Sequence, residues 1–352
     1  STPQQQQQQQ PQQSERRASI IDVLSPFVVS NPDVFDPDSP EASSDRIKAL
    51  EWLVATDPMQ IEPSSEESIH KLRQRFVLAL VYYSTKGEYW DEKYWYLSRF
   101  DECTWNSVRS TAQEEDFWMH HNGVGFEAKG NLCNEDGWLT DLSIYWNNLA
   151  GTLPPEISYF KKSLKKFTLG GGALQGTIPE SYGEFETLES VLFFDNCLTG
   201  MIPDGLTKIP TLEIFSMYSN PGLYGSLNSF CNHSVYRDGV VVIVGDNCNT
   251  NETTDYGVDC DCCSCCDPNN YWCVDPIWGG FQIEYTDMTD DGYVKNFQKP
   301  CMSEEQKAWV DGNCPCMIVM PGDDNNQCTT NCSAVDAIPI KTYWSSDSDV
   351  RE

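Results

Sequence analysis

The spacing of leucine and glycine between Leu139 and Leu227 predicts an α/β solenoid: about four short coils around one apolar interior, with their strands in a parallel concave sheet. One segment is written four times, as LTDLSIYWNNLAGTLPPEI, LKKFTLGGGALQGTIPESY, LESVLFFDNCLTGMIPDGL and LEIFSMYSNPGLYGSL. Leu149, Leu174, Leu198 and Leu223 recur at steps of 25, 24 and 24 residues. Gly151, Gly176, Gly200 and Gly225 keep nearly the same step, and Pro154, Pro179 and Pro203 follow in phase. A period in the low twenties marks a unit that buries its apolar face only by stacking on its neighbours.

Each copy places a strand where apolar residues alternate. Leu142 and Ile144, Phe167 and Leu169, Val191 and Phe193, and Ile214 with Phe215 or Met217 are the inward positions. The Asn after the strand (Asn147, Asn196, Asn220) turns inward to bond backbone groups that the bending chain leaves unpaired. Losing such a partner in a core costs about 1–3 kcal/mol. The second copy has Gly170, Gly171 and Gly172 there instead, and is expected to be the weakest coil.

Residues flanking the inward positions face the concave side in three rails. The first is Ser143, Thr168, Leu192 and Ser216. The second is Tyr145, Gly170, Phe194 and Tyr218, and the third Trp146, Gly171, Asp195 and Ser219. Strands ~4.8 Å apart make the four span ~15 Å, a short peptide or a few sugar rings. Aromatics facing solvent form a patch that a monomer rarely leaves idle. Gly170 and Gly171 are expected to leave a slot between Tyr145 and Phe194. The candidate ligand contacts are Tyr145, Trp146, Phe194, Asp195 and Tyr218. The competing expectation is that the C-terminal tail or the N-terminal arm folds over this face.

Formal net charge is −30, from 53 acids against 23 bases, which argues against nucleic acid or an anionic membrane as partner. Sixteen cysteines, with N-x-[ST] sequons at Asn232, Asn251 and Asn331, suggest a secretory route and a secreted or cell-surface glycoprotein. No apolar run approaches ~18–20 residues, and the chain opens at Ser1, so any signal peptide or anchor is expected upstream. No nucleophile elbow, P-loop, dinucleotide fingerprint or H-E-x-x-H occurs, so an enzyme is not expected, nor is a cofactor or metal.

Around the coils, residues 1–44 form a Gln/Pro/Ser-rich arm expected to be disordered. Its one apolar island, Ile20–Val29, reads as a short helix or docking strip, and Arg16-Arg17 as a processing site or nothing. Residues 45–137 read as a helical, aromatic-rich N-terminal cap. Ser44 caps a first helix carrying Ile47, Leu50 and Leu53 or Val54. Ser64 and Glu67 form a capping box for a second, with Ile69, Leu72, Phe76 and Leu80, ending before Gly87. The aromatic stretch EYWDEKYWYLSRFDECTWN follows. The coils span 138–228. Residues 229–266 read as a Cys-rich C-terminal cap with VVVIV (240–244) as a buried strand, and 267–352 as a disulfide-stapled module whose one helix is SEEQKAWV (303–310).

The cysteines expected in disulfides are Cys103, Cys133, Cys231, Cys248, Cys260, Cys262, Cys263, Cys265, Cys266, Cys273, Cys301, Cys314, Cys316, Cys328 and Cys332. In DCDCCSCCD (259–267), bridges to separate partners are favoured over a zinc site. If Cys197 is a thiol, fifteen remain, so at least one more is unpaired or joins chains. DMTDDGY (287–293) imitates an EF-hand loop, but the twelfth position is Gln298, so it reads as an acidic turn. His120 and His121 read as part of a solvated loop.

The pattern L-x-x-L-x-L-x-x-N-x-L followed by G-x-[IL]-P resembles the plant-type leucine-rich repeat. Cys103, Trp105, Gly123-Val124-Gly125-Phe126 and Cys133 resemble the cap motif C-x-W-x-G-V-x-C of such ectodomains, with an insertion and a Phe at the expected second Cys. ALEWL…DP, RFVLALVYYST, ECTWN and the CxCCxCC run look like leucine-rich-repeat proteins of diatoms, over roughly residues 45–266. The resemblance implies a right-handed leucine-rich-repeat solenoid and a Cys103–Cys133 disulfide. It carries over architecture more than function; the aromatic concave rails are what point to recognition of a protein, peptide or glycan through that face. The alternatives are a structural or adhesive cell-surface or cell-wall glycoprotein, and an inhibitor of a secreted hydrolase.

Overall fold

The structure is a computed structural model that describes residues 3–27, 32–36, 44–107, 129–217, 220, 222–231, 241–244, 258–260, 263–266, 272–275 and 279–282. It is α/β. Each repeat contributes one strand to a main sheet and one to a second. The main sheet runs β1 (Gly130–Cys133), β2 (Leu139–Tyr145), β4 (Lys166–Gly170), β6 (Ser190–Leu192), β8 (Ile214–Ser216), β10 (Val241–Val244), β12 (Ser264–Cys266), β13 (Trp272–Asp275) and β14 (Gly279–Gln282). From β2 to β12 every pairing is parallel, while β1, β13 and β14 join antiparallel. Leu142 lies opposite Phe167, Phe167 opposite Val191 and Val191 opposite Phe215, so the inward residues stack in register and all four are buried. The leucine pattern ends at repeat four but the ladder does not: β10, from the VVVIV run, and β12, from the Cys-rich run, add two further parallel strands.

The second sheet orders β11 (Val258–Asp259), β9 (Gly222–Ser226), β7 (Cys197–Met201), β5 (Ala173–Gly176) and β3 (Ala150–Thr152). The periodic glycines explain its geometry. Gly151, Gly176, Gly200 and Gly225 have φ of +90°, +78°, +87° and +128°, a region open to glycine at little cost. The periodic prolines lead into 3-10 turns at Pro155–Phe160, Glu180–Glu184 and Leu206–Lys208.

The Asn residues act between coils. Asn196 accepts from Leu174 N (3.1 Å) and donates to Leu169 O (2.9 Å), while Asn220 accepts from Leu198 N (3.0 Å) and donates to Phe193 O (2.8 Å). Asn147 reaches the preceding segment instead, bonding both N and O of Glu92. The second coil has no such Asn. Beside it, Ala150 N, at the head of the matching short strand, donates to Thr85 O (3.2 Å).

Thr85 ends the helical segment before the repeats. There α2 (Ser44–Glu51) continues into a wider turn, Trp52–Thr56, and packs on α3 (Glu66–Ser84). The capping box lies one residue later than expected, because Ser65 holds the extended backbone a cap needs. Its Oγ accepts from Ser68 N (3.2 Å), and Ser68 Oγ accepts from Ser65 N (2.9 Å), doing the work assigned to Glu67. The Cys103–Cys133 disulfide is present, with Cα atoms 5.2 Å apart.

The arm departs from its expected disorder. Pro3–Val23 forms α1, whose end docks through Ile20, Val23 and Leu24, all buried. Arg16 donates to Val54 O and pairs with Glu62, and Arg17 pairs with Glu51. The apolar island has a surface to bury against, and glutamine, a good helix former, carries the helix back from there.

At the centre of this segment Arg75 is fully buried. It meets both carboxylate oxygens of Asp57 (2.9 and 2.5 Å), Glu102 (3.2 Å) and the carbonyls of Ser98 and Phe100 (both 3.1 Å). Its guanidinium lies over the rings of Trp52 and Trp105, at 5.2 and 4.9 Å. Gln74 ties α3 to the first coil, donating to Gly137 O and accepting from Leu139 N (both 3.0 Å).

His70 makes a second junction with that coil. Its ring stacks on Trp138 at 3.7 Å, and its Nδ1 lies 2.9 Å from Tyr159 Oη. Burial lowers its pKa, against the raising effects of Gly137 O and Glu102, and Lys71 and Arg73 also lower it. The unfolded chain therefore takes up this proton first, and stability falls as pH drops below about 6.5. On going from pH 7.5 to 5.5 the urea midpoint should fall further, or rise less, in the wild type than in His70→Gln. Equal differences would remove His70 from the acid response. Asp91, raised to about 6 mainly by burial, contributes with the opposite sign to both proteins.

Candidate functional site

The candidate residues lie where β2, β4 and β6 end. Tyr145 stands opposite Gly170, and the backbone pairing continues one step further, with Trp146 N bonded to Gly170 O (3.0 Å), Gly171 N to Phe194 O (2.9 Å) and Gly172 N to Asp195 O (2.9 Å). At that next position all three coils turn into the left-handed region. Trp146 has φ +48°, Gly171 +62° and Asp195 +49°. Gly171 occupies it cheaply, whereas a non-glycine residue is strained by about 1–2 kcal/mol.

The expected open slot is absent. A Cβ on Gly171 would lie 2.0 Å from Trp146 Cε3, and one on Gly170 would lie 2.8 Å from the Phe194 ring. The two rings stand over the glycines, with centroids 5.5 Å apart. Side chains missing from the second coil are thus replaced by side chains from the coils on either side.

Solvent exposure also differs from expectation. Tyr145 is 2% exposed and Phe194 0%, so neither presents a free ring. Lys129 Nζ lies 4.8 Å from the centre of the Tyr145 ring. The rail of Ser143, Thr168, Leu192 and Ser216 is likewise buried. Trp146 and Asp195 are half-buried. Tyr218 and Ser219 lie outside the described residues, so Tyr145, Trp146, Phe194 and Asp195 form the part of the predicted set that the structure brings together.

Several other expectations fall outside the described residues: the sequons at Asn232, Asn251 and Asn331, His120 and His121, the 287–293 turn, the 303–310 helix, and Cys248, Cys262, Cys301, Cys314, Cys316, Cys328 and Cys332. The side chains of Cys265, Cys266 and Cys273 are not described either. Cys260 and Cys263 form a disulfide, and Cys231 is disulfide-bonded. Cys197 is buried within β7, a position unsuited to joining two chains. Among the described residues no helix is long and apolar enough to cross a membrane.

Sequence reasoning passed over Arg75 and Trp95. An Arg at the centre of α3's apolar face, RQRFVLALV, was the available signal for the first. Nothing in the string EKYWYLS distinguishes Trp95 from the buried aromatics beside it.

No protein-family model matches the chain. Receptor-like protein 43 of Arabidopsis thaliana is 32% identical over 99 residues, covering 28% of this chain and 13% of that protein. The BIR2 ectodomain of the same plant covers 38% of this chain and 74% of its own, at 20% identity and TM-score 0.30. The receptor kinase HAESA, solved with the peptide hormone IDA and the co-receptor SERK1, aligns over 32% of this chain and 20% of its own, at 27% identity and TM-score 0.27. The chain therefore spans about an eighth of the curated relative it matches, and it is similar to plant leucine-rich-repeat receptor-like ectodomains.

Proposed function

We propose that this chain is a recognition module of the cell surface or extracellular space, built as a right-handed solenoid and closed at its first coil by α2, α3 and the segment after them. Its ligand is a protein or peptide, read by the row at the strand ends, with Trp146 and Asp195 in contact and Tyr145 and Phe194 supporting them from beneath. One observation carries this reading. Trp146 and Asp195 keep a backbone conformation that the neighbouring coil assigns to glycine, and strain of that kind persists where a side chain is needed. Support also comes from the 99-residue likeness to a receptor-like protein and from disulfides suited to an oxidising compartment.

Asp195→Asn tests it, because Asn tolerates the left-handed region and removes only the charge. On a peptide array the wild type should retain a subset of sequences that the variant binds at least tenfold more weakly, with an unchanged melting temperature. Identical array patterns would favour the second reading, a structural or adhesive surface protein. Burial of the first rail and of Tyr145 and Phe194 speaks for that alternative.

A further inference from the structure

We infer that Trp95, which is not one of the strand-end row, is a platform for a neutral sugar ring. The indole is 48% exposed, one of three large apolar side chains exposed among the described residues. The other two, Met201 and Tyr224, lie opposite each other on the second sheet. Trp95 stands in a loop where three bulky residues out of four are left-handed: Tyr94 at φ +46°, Trp95 at +64° and Leu97 at +61°. Such strain survives only where the surroundings over-determine the backbone.

Here they do. Tyr94 and Tyr96 are buried on either side of Trp95. Tyr96 Oη donates to Asn131 Oδ1 (2.7 Å), buried Arg75 holds the carbonyls of Ser98 and Phe100, and Asn147 clamps Glu92. Trp95 meets Phe100 edge-on at 5.3 Å, and the Arg99 guanidinium lies over the Phe100 ring, 5.6 Å from its centre. The loop therefore buries its tyrosines and ejects its tryptophan on a rigid mount. The edge of the indole packs on Phe100, while its exposed half meets no other ring among the described residues.

The surroundings specify the ligand. Asp91, Glu92, Lys93 and Arg99 of the same loop are exposed, so the one exposed apolar ring of the loop has charged neighbours in sequence, and Arg99 shares Phe100 with it. Lys93 Nζ is tied to Gly87 O and Glu88 O, which leaves Arg99 as donor and Asp91 and Glu92 as acceptors. A protein interface needs a broader apolar centre than one ring. A hexopyranose has one flat C–H face to lie on an indole and a rim of hydroxyls that want both donors and acceptors. The net charge of −30 disfavours a polyanionic chain.

The test uses the full chain with β-linked neutral hexasaccharides of glucose and N-acetylglucosamine, read by calorimetry and saturation-transfer NMR. Wild type should bind at least one of them, with indole signals perturbed. Trp95→Gly should weaken binding about tenfold or more, with a melting temperature unchanged or higher, since strain is relieved. Arg99→Gln should weaken binding severalfold without moving the melt. The inference is overturned by absence of binding in the wild type, by equal binding in Trp95→Gly, or by a fall of several degrees in its melting temperature. Preference for oligogalacturonate, or self-association that depends on Trp95 in gel filtration, would overturn it equally.

Discussion

Replacing Arg75 by Met is expected to lower the unfolding free energy by about 3–5 kcal/mol, the cost of leaving buried charges without their partner. Asp57 and Glu102 are 0% and 1% exposed; Asp57 would lose its cation, and Glu102 would keep only Lys71 at 3.6 Å. Arg75→Lys should recover little of the loss. One ammonium cannot reproduce the paired contacts to Asp57, reach Glu102 and two carbonyls, and lie flat against Trp52 and Trp105 together. Urea titration by far-UV circular dichroism measures the shift, provided the slope is unchanged. A loss under about 1 kcal/mol would mean that water or a rearranged carboxylate replaces the guanidinium. Because Arg75 holds Ser98 O and Phe100 O, amide exchange in residues 94–100 should accelerate in the same variant.

Gly171→Ala is the second large effect, expected at about 2–5 kcal/mol. The left-handed backbone accounts for ~1–2 kcal/mol of this, and displacing the Trp146 ring for ~1–3 kcal/mol. Gly137→Ala separates the two contributions. That glycine also has positive φ, +80°, but a Cβ there meets nothing within 4 Å. Gly171→Ala should therefore cost clearly more than Gly137→Ala. Equal costs would show that Trp146 moves aside freely and that the ring is not seated on the second coil.

The coils were legible from sequence because each depends on local, repeated chemistry. A glycine every 24 residues or so marks a backbone only glycine enters easily, and an Asn after each strand marks an amide that its neighbour needs. The segment ahead of them was legible as two helices but not as a network. Asp57, Arg75 and Glu102 are separated by 18 and 27 residues and follow no period. The candidate row was legible in its alignment and not in its exposure. The strand ends did align Tyr145, Trp146, Phe194 and Asp195, but reading Gly170–Gly172 as an empty slot treated the second coil alone. In a stacked array, space vacated in one coil belongs to the side chains of the next, and here Trp146 and Phe194 took it. The arm was misjudged for a similar reason, since a Gln-rich composition says nothing of a short apolar tip that finds a groove.

The bond from Ala150 N to Thr85 O gives the molecule a direction of growth. Past Gly172 each added unit would bring its own amide to serve the unit before it, so a duplication there is self-sufficient. Ahead of that point Thr85 O holds Ala150 N as Leu149 O holds Ala173 N one coil later, and Gly151 must lie bare against Ser84 O, where a Cβ would come within 2.1 Å. A unit inserted there would itself have to meet Ser84 with a bare glycine. Lineages or designs that lengthen this protein should therefore do so from its far end, leaving the first two coils bound to their helix as one indivisible block.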